Sequence, residues 1–299
     1  MKKFSFIALA ALAVVACNKG NDNVPTSFPV QQETKATGKY EAGDKTAPYQ
    51  SFEVTNNVPK TYLITEKNGN VLEGNCAELS GNAEEGTTVF DCANFGIVEV
   101  KKGNALPALP SKASLEEFTI TFKPKGGSAV AIVTNKVPVN EGEGAKNLGR
   151  KWVVEKTVIS VAGGQLPSSL GVGHSFAGFD APAIWKYLAD NSNGLIKNTT
   201  ELNGYVLSFI RFTTSGSVIF KFENGEVFYG EVDMANLDAG KFAYELEVGE
   251  GNDLINGKAD GSVYFDFAAQ KAVIAINVEV DADAGYKGKI QFTVAPSAK

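Results

Sequence analysis

The chain has 299 residues, 34 acidic against 28 basic side chains, and a formal charge of −6. Its only arginines are Arg150 and Arg211, and His174 is its single histidine. An acidic chain with so few arginines repels phosphate backbones, which argues against nucleic-acid binding. One histidine is a poor basis for a zinc centre.

The N-terminus opens with Lys2-Lys3 and continues into an apolar run from Phe4 to Ala16. The run is shorter than the roughly 20 residues a bilayer-spanning helix needs, and it has the length of a signal-peptide core. It ends Val14-Val15-Ala16-Cys17, which resembles a bacterial lipobox: an aliphatic residue, small or medium residues at the cut, then the cysteine that receives diacylglycerol. Residues 1–16 are therefore expected to leave, taking two lysines and shifting the net charge from −6 to −8. Cys17 is expected to carry the lipid, with palmitate among its acyl chains, as the protein's one attachment to a membrane. Asn18 is not the aspartate that retains enteric lipoproteins at the inner membrane, which points to the outer membrane. Residues 17–37 are polar with Gly20 and Pro25, and read as lipid anchor and flexible tether.

Residues 38–138 carry short β signals, clearest at 61–65, 87–90, 96–100, 117–122 and 129–133, with Asn68-Gly69 and Gly126-Gly127 as turns. They predict a small antiparallel β domain in which 74–86 and 102–116 are longer loops. Cys76 and Cys92 remain after Cys17 is set aside. In an exported chain they most simply form one disulfide, worth on the order of 3 kcal/mol, with two free thiols or half a metal site as the alternatives. Residues 139–149 are Gly-rich and read as a linker.

Residues 150–299 begin with a strand at 152–159 and a Gly/Ser-rich loop. The chain's one good helix signal follows, with Asp180 as N-cap, Pro182 in the first turn, Ile184, Trp185 and Leu188 on one face, and Gly194 as stop. Strand signals recur at 205–213, 216–223, 226–232, 240–248, 262–268, 272–280 and 287–294. The alternation through Lys241–Val248 marks one buried and one wet face. Eight up-and-down strands predict a barrel that encloses side chains or one small ligand. The segments Thr65–Val71 and Lys221–Val227 both read as hairpins.

Two features, Gly149-Arg150-Lys151-Trp152 at the first strand and the hairpin Ile210–Phe220, make this half resemble a lipocalin-like (calycin-like) domain of Bacteroidota lipoproteins. The family pattern is Gly-x-Trp, and the spacing here is one residue longer. The resemblance implies an indole packed across the closed end of a barrel with room for a small apolar molecule. The aromatic residues Trp152, Phe209, Phe220, Tyr229, Tyr244 and Phe265 are the candidates to line it, although such residues more often fill a core.

Catalytic chemistry is hard to find. His174 lies in a glycine-rich loop with no Gly-x-Ser-x-Gly elbow anywhere. Acid pairs at Glu84/Glu85, Glu116/Glu117, Glu245/Glu247 and Asp281/Asp283 match glycosidase carboxylates by type only. Asp190–Gly194 departs from a calcium loop and fits a helix-terminating turn. The expectation is a cofactor-free, non-enzymatic lipoprotein of the outer membrane holding a small apolar ligand in its C-terminal barrel. The alternative is a structural or adhesive surface protein, fimbrillin-like or glycan-contacting; the absence of any Arg before Arg150 weakens the fimbrillin version, which matures by cutting after a basic residue.

Overall fold

A computed structural model describes residues 28, 37–55, 60–79, 86–103, 116–197, 202–247, 257–281 and 285–297. The first barrel contains β1 (Gly38–Ala42), β2 (Tyr49–Val54), β3 (Thr61–Glu66), β4 (Val71–Leu79), β5 (Thr87–Cys92), β6 (Gly96–Lys102), β7 (Glu117–Pro124) and β8 (Val130–Lys136). Each strand pairs antiparallel with the next. Pairing of β8 with β1, in the register Tyr40↔Lys136, closes the ring. Closure removes the exposed edges of an open sheet. Inward side chains at alternate positions, among them Tyr40, Phe52, Ile64, Phe90, Val98, Ile120 and Phe122, are all fully buried in one core.

The N-terminal β domain is thus a complete eight-stranded barrel. One predicted loop is different: residues 74–79 belong to β4. Gly74 and Asn75 suggest a loop by composition, yet Gly74 is the cross-strand partner of Tyr62, whose ring lies over it. A side chain at 74 would meet that ring. The glycine makes room for an aromatic residue within a regular strand.

Residues 139–149 also differ from expectation. Helix α1 (Glu143–Leu148) forms there, and its Ala145 and Leu148 are fully buried in the second core. Two apolar residues three apart are too short a pattern to reveal a helix of six residues. Arg150 folds back on α1, its guanidinium donating to the carbonyls of Asn147 (2.7 Å) and Lys146 (3.2 Å). These are among the last carbonyls of a helix, which have no partner within it.

The second barrel has the eight expected strands: β9 (Lys151–Ala162), then, after the short strand β10 (His174–Ala177), β11 (Leu207–Phe212), β12 (Ser217–Phe222), β13 (Val227–Asp233), β14 (Lys241–Glu247), β15 (Gly257–Asp266), β16 (Lys271–Asp281) and β17 (Tyr286–Pro296). They pair in sequence order and close through β17–β9. Strand β10 is an addition. It pairs with residues 156–159 on the edge of β9 that β11 leaves uncovered beyond Trp152. A one-turn helix α2 (Ser169–Val172) precedes it. Helix α3 (Ala181–Asn191) is the one foreseen. Asp180 accepts from the Ala183 amide at 3.0 Å, Pro182 is in the first turn, and Ile184 and Leu188 face the core.

Candidate functional site

Four of the six aromatic residues expected to line a ligand space point into the second barrel. Trp152, Phe220 and Tyr244 are buried in its core, and Phe265 packs against it partly buried. They fill the barrel together with Phe212, Phe222, Phe228, Phe242 and Phe292. The Tyr244 hydroxyl donates to the Asn277 carbonyl at 2.5 Å, and burial pushes its pKa up to about 12. The other two, Phe209 and Tyr229, face outward. On β13 the inward parity belongs to Phe228, Gly230 and Val232, so Tyr229 falls on the opposite face. A β-bulge between Leu207 and Phe209 shifts the register of β11. Phe209 there lies under the Lys151 ammonium (4.3 Å) and the Arg211 guanidinium (5.0 Å).

The Trp152 indole, near the start of β9 and fully buried, donates to the Leu148 carbonyl at 2.9 Å. It does not pack there alone. Phe28, from the stretch read as a flexible tether, is only 2% exposed there. Its ring meets Trp152 edge-on at 5.3 Å, with Phe267 at 5.1 Å and Phe265 at 5.8 Å. The Arg150 guanidinium sits 4.8 Å from its centroid. The tether is thus tied down at one residue at least. A signal was present: Phe28 is the only aromatic residue between 18 and 37, and Pro29 biases it toward extended backbone.

The barrels meet through the two predicted hairpins, β3–β4 and β12–β13. Leu63 and Val71 of the first cluster with Ile219 of the second, flanked by Val227 and Tyr229. Polar groups surround this patch. Arg211, 1% exposed, pairs with Glu73 at 3.2 Å. Lys39 bonds Glu41 at 2.7 Å and Glu231 of the second barrel at 3.3 Å. Burial opposes the charge on Lys39, but the neighbouring Tyr229 and Glu41 outweigh it and hold the pKa above the usual lysine value. Glu53 is fully buried against Thr213, Ser217 and Ser215, and desolvation lifts its carboxyl above the ordinary range. Glu53 Oε2 and Arg211 Nε have no hydrogen-bond partner among the described residues.

An open cleft of about 380 Å³ lies on the outer face of the second barrel. Its wall residues include Asp233, Lys241, Asp260, Ser262, Asn277 and Lys289. The cleft exists because neighbouring outward positions are small. Ala243 pairs with Asp260, and Ser262 with Ala275, so the strands offer short side chains between longer ones. Tyr264 stands on the same face of β15, two residues beyond Ser262, and is 65% exposed.

Cys76 and Cys92 are directly paired across β4 and β5, and both are buried. Both are free thiols in the structure, so the expected bridge is not formed there. Contact with the Cys76 sulfur, then burial, pushes the Cys92 thiol up. His174 stacks on Tyr187 at 4.0 Å and is exposed. Glu116 pairs with Lys102 at 2.7 Å, and Glu245 lies on the wet face of β14. The turn after α3 has Asn193 and Gly194 at positive φ, and Asp190 pairs back to Lys186 within the helix. Among the described residues no three His, Cys, Asp or Glu side chains group as a metal site. Cys17, Glu84, Glu85 and Asp283 lie outside the described residues.

No protein-family model matches this chain, and no curated protein matches it. Among solved structures it is similar to a crystal structure of the vaccine antigen Transferrin Binding Protein B, a double mutant, from Haemophilus parasuis Hp5. The identity is 9% and the TM-score 0.26, over 88% of this chain and 59% of that one. This chain therefore spans under two thirds of that protein's length, and the likeness carries no argument about function.

Proposed function

We propose that the chain is an exported, non-enzymatic lipoprotein, anchored to the outer membrane through Cys17, that binds its ligand on the outside of its barrels. The observation that carries the reading is the contrast between the second barrel's two surfaces. Its interior is occupied by its own aromatic and aliphatic side chains. Its outer face has the open cleft, with two aspartates, two lysines, two asparagines and a serine around it. Such a lining hydrogen-bonds hydroxyl and amide groups, with Phe242, Ala243 and Ala275 supplying apolar surface between the polar ones. Exposed Tyr264 supplies an aromatic face beside it. The ligand class this combination suits is a glycan, which presents hydroxyl edges and C–H faces together.

A small apolar ligand inside the second barrel has less support. Trp152, Phe220 and Tyr244, which would line its space, are themselves the filling.

Two experiments test the proposal. A glycan array probed with the chain lacking residues 1–17 is expected to retain a defined set of sugars, and Asp260→Ala with Tyr264→Ala to lose them. No retention, or retention unchanged in the variant, overturns the glycan reading. For the anchor, Cys17→Ser is expected to lose palmitate labelling and leave the membrane fraction with both barrels folded. A Cys17→Ser chain that stays in that fraction overturns the lipoprotein reading.

A further inference from the structure

Of the residues between Cys17 and the first strand of the first barrel, Phe28 and Thr37 are described, and Phe28 is placed in the second barrel. Phe28 fills the seat made by Arg150, Trp152, Phe265 and Phe267. We infer that Phe28 clamps the anchor-bearing segment to the Trp152 end of the second barrel and sets that end beside the membrane.

The inference rests on the proposed lipid at Cys17 and reverses what chain order alone implies. By chain order the first barrel follows the anchor and the second lies beyond it. From Cys17 to Gly38 there are 21 residue steps, a fully extended limit of about 69–76 Å. Phe28 lies 11 steps from Cys17, a fully extended limit of about 36–40 Å. That limit now applies to the Trp152 end of the second barrel. The seat suits the task. It buries an aromatic ring against three others, edge-on to Trp152, and under a guanidinium, two contacts that each add to area burial. Arg150 is itself held by the carbonyls of α1, so the seat is preformed on fixed elements. The segment between Phe28 and β1 becomes a second covalent tie between the barrels, beside the one through residues 137–142.

Energy transfer from a donor dye at position 268 to an acceptor lipid tests the clamp in the full, lipidated chain on vesicles. Ala268 is exposed on the β15–β16 hairpin beside Phe267. A flexible Gly/Ser insertion of about 20 residues after Asp22 lengthens the stretch between Cys17 and Phe28 and is expected to lower transfer. The same insertion after Gln32 lies beyond the clamp and is expected to leave transfer unchanged. Equal loss from both insertions overturns the inference. Phe28→Ala is expected to make the second insertion behave like the first.

A companion measurement uses the chain without residues 1–17, in a Trp185→Phe background so that Trp152 reports alone. Phe28→Ala is expected to raise acrylamide quenching of Trp152, and Phe28→Tyr to preserve protection. Unchanged quenching in Phe28→Ala overturns the clamp. If no variant binds vesicles, the lipoprotein reading fails, while the quenching result still decides the clamp.

Discussion

Replacing Glu73 with Gln leaves Arg211 as a buried cation without its counter-charge. Replacing Arg211 with Met leaves Glu73 without its partner, but in a different setting. The Arg211 side chain is 1% exposed and that of Glu73 is 12% exposed. Removing one partner of a buried pair costs about 3–5 kcal/mol because of the charge left behind. That charge is better solvated when it is Glu73. Glu73→Gln is therefore expected at the upper end of this range and Arg211→Met at the lower end. The double variant should recover part of the loss, since no uncompensated charge remains. Both tryptophans, Trp152 and Trp185, belong to the second barrel, so their fluorescence during urea unfolding reads its stability directly. The four-way cycle, with an unchanged urea slope in each variant, gives the coupling energy. Two equal single losses that add in the double variant would refute the reasoning. So would Arg211→Met being the worse of the pair.

Glu53→Gln tests the other buried acid at the barrel junction. Its folded carboxyl holds a proton more tightly than the unfolded one, so its contribution to stability is intact below about pH 4.5 and declines as pH rises, by up to about 1.4 kcal/mol per unit, until its folded pKa is passed. The stability of Glu53→Gln relative to the parent is expected to rise across that window in thermal melts; a flat difference would show the acid is not strained by burial. Gly261→Ala puts a methyl within 2.3 Å of the Phe242 ring that lies across it, and a loss of about 1–3 kcal/mol is expected by denaturant unfolding. Oxidation of the purified chain is expected to join Cys76 and Cys92, which the β4–β5 register already pairs, lowering the mass by about 2 Da and adding on the order of 3 kcal/mol. Persistence of two alkylatable thiols after oxidation and unfolding would contradict this.

Strands with one wet face were legible without coordinates. Lys241–Glu247 alternates, and Phe242 and Tyr244 are buried while Lys241 and Glu245 are exposed. The α3 helix was legible because its cap and its apolar face are local features. Strands β1 and β2 were not, because both their faces are covered. Tyr40 and Phe52 point into the first barrel, while Lys39 and Glu53, 4% and 2% exposed, point at the second. A strand with charged residues on a buried face loses the pattern by which strands are recognised. The outward turn of Tyr229 and Phe209 was hidden for a related reason. Parity within a strand depends on where pairing starts and on bulges, and neither is written in composition.

The sequence by itself determined the elements whose causes are local: an apolar N-terminal run ending in Cys17, up-and-down strands, one capped helix, and tight turns at Asn68-Gly69 and Asn224-Gly225. Only the tertiary structure decided what those elements enclose. It closed the first domain into a barrel, filled the second with its own aromatics, and placed the open cleft on the outside. It also drew Phe28 from an unpromising polar stretch into the seat beside Trp152. Contacts between residues more than a hundred positions apart depend on barrel closure and strand register, which arise only when the whole sheet has formed.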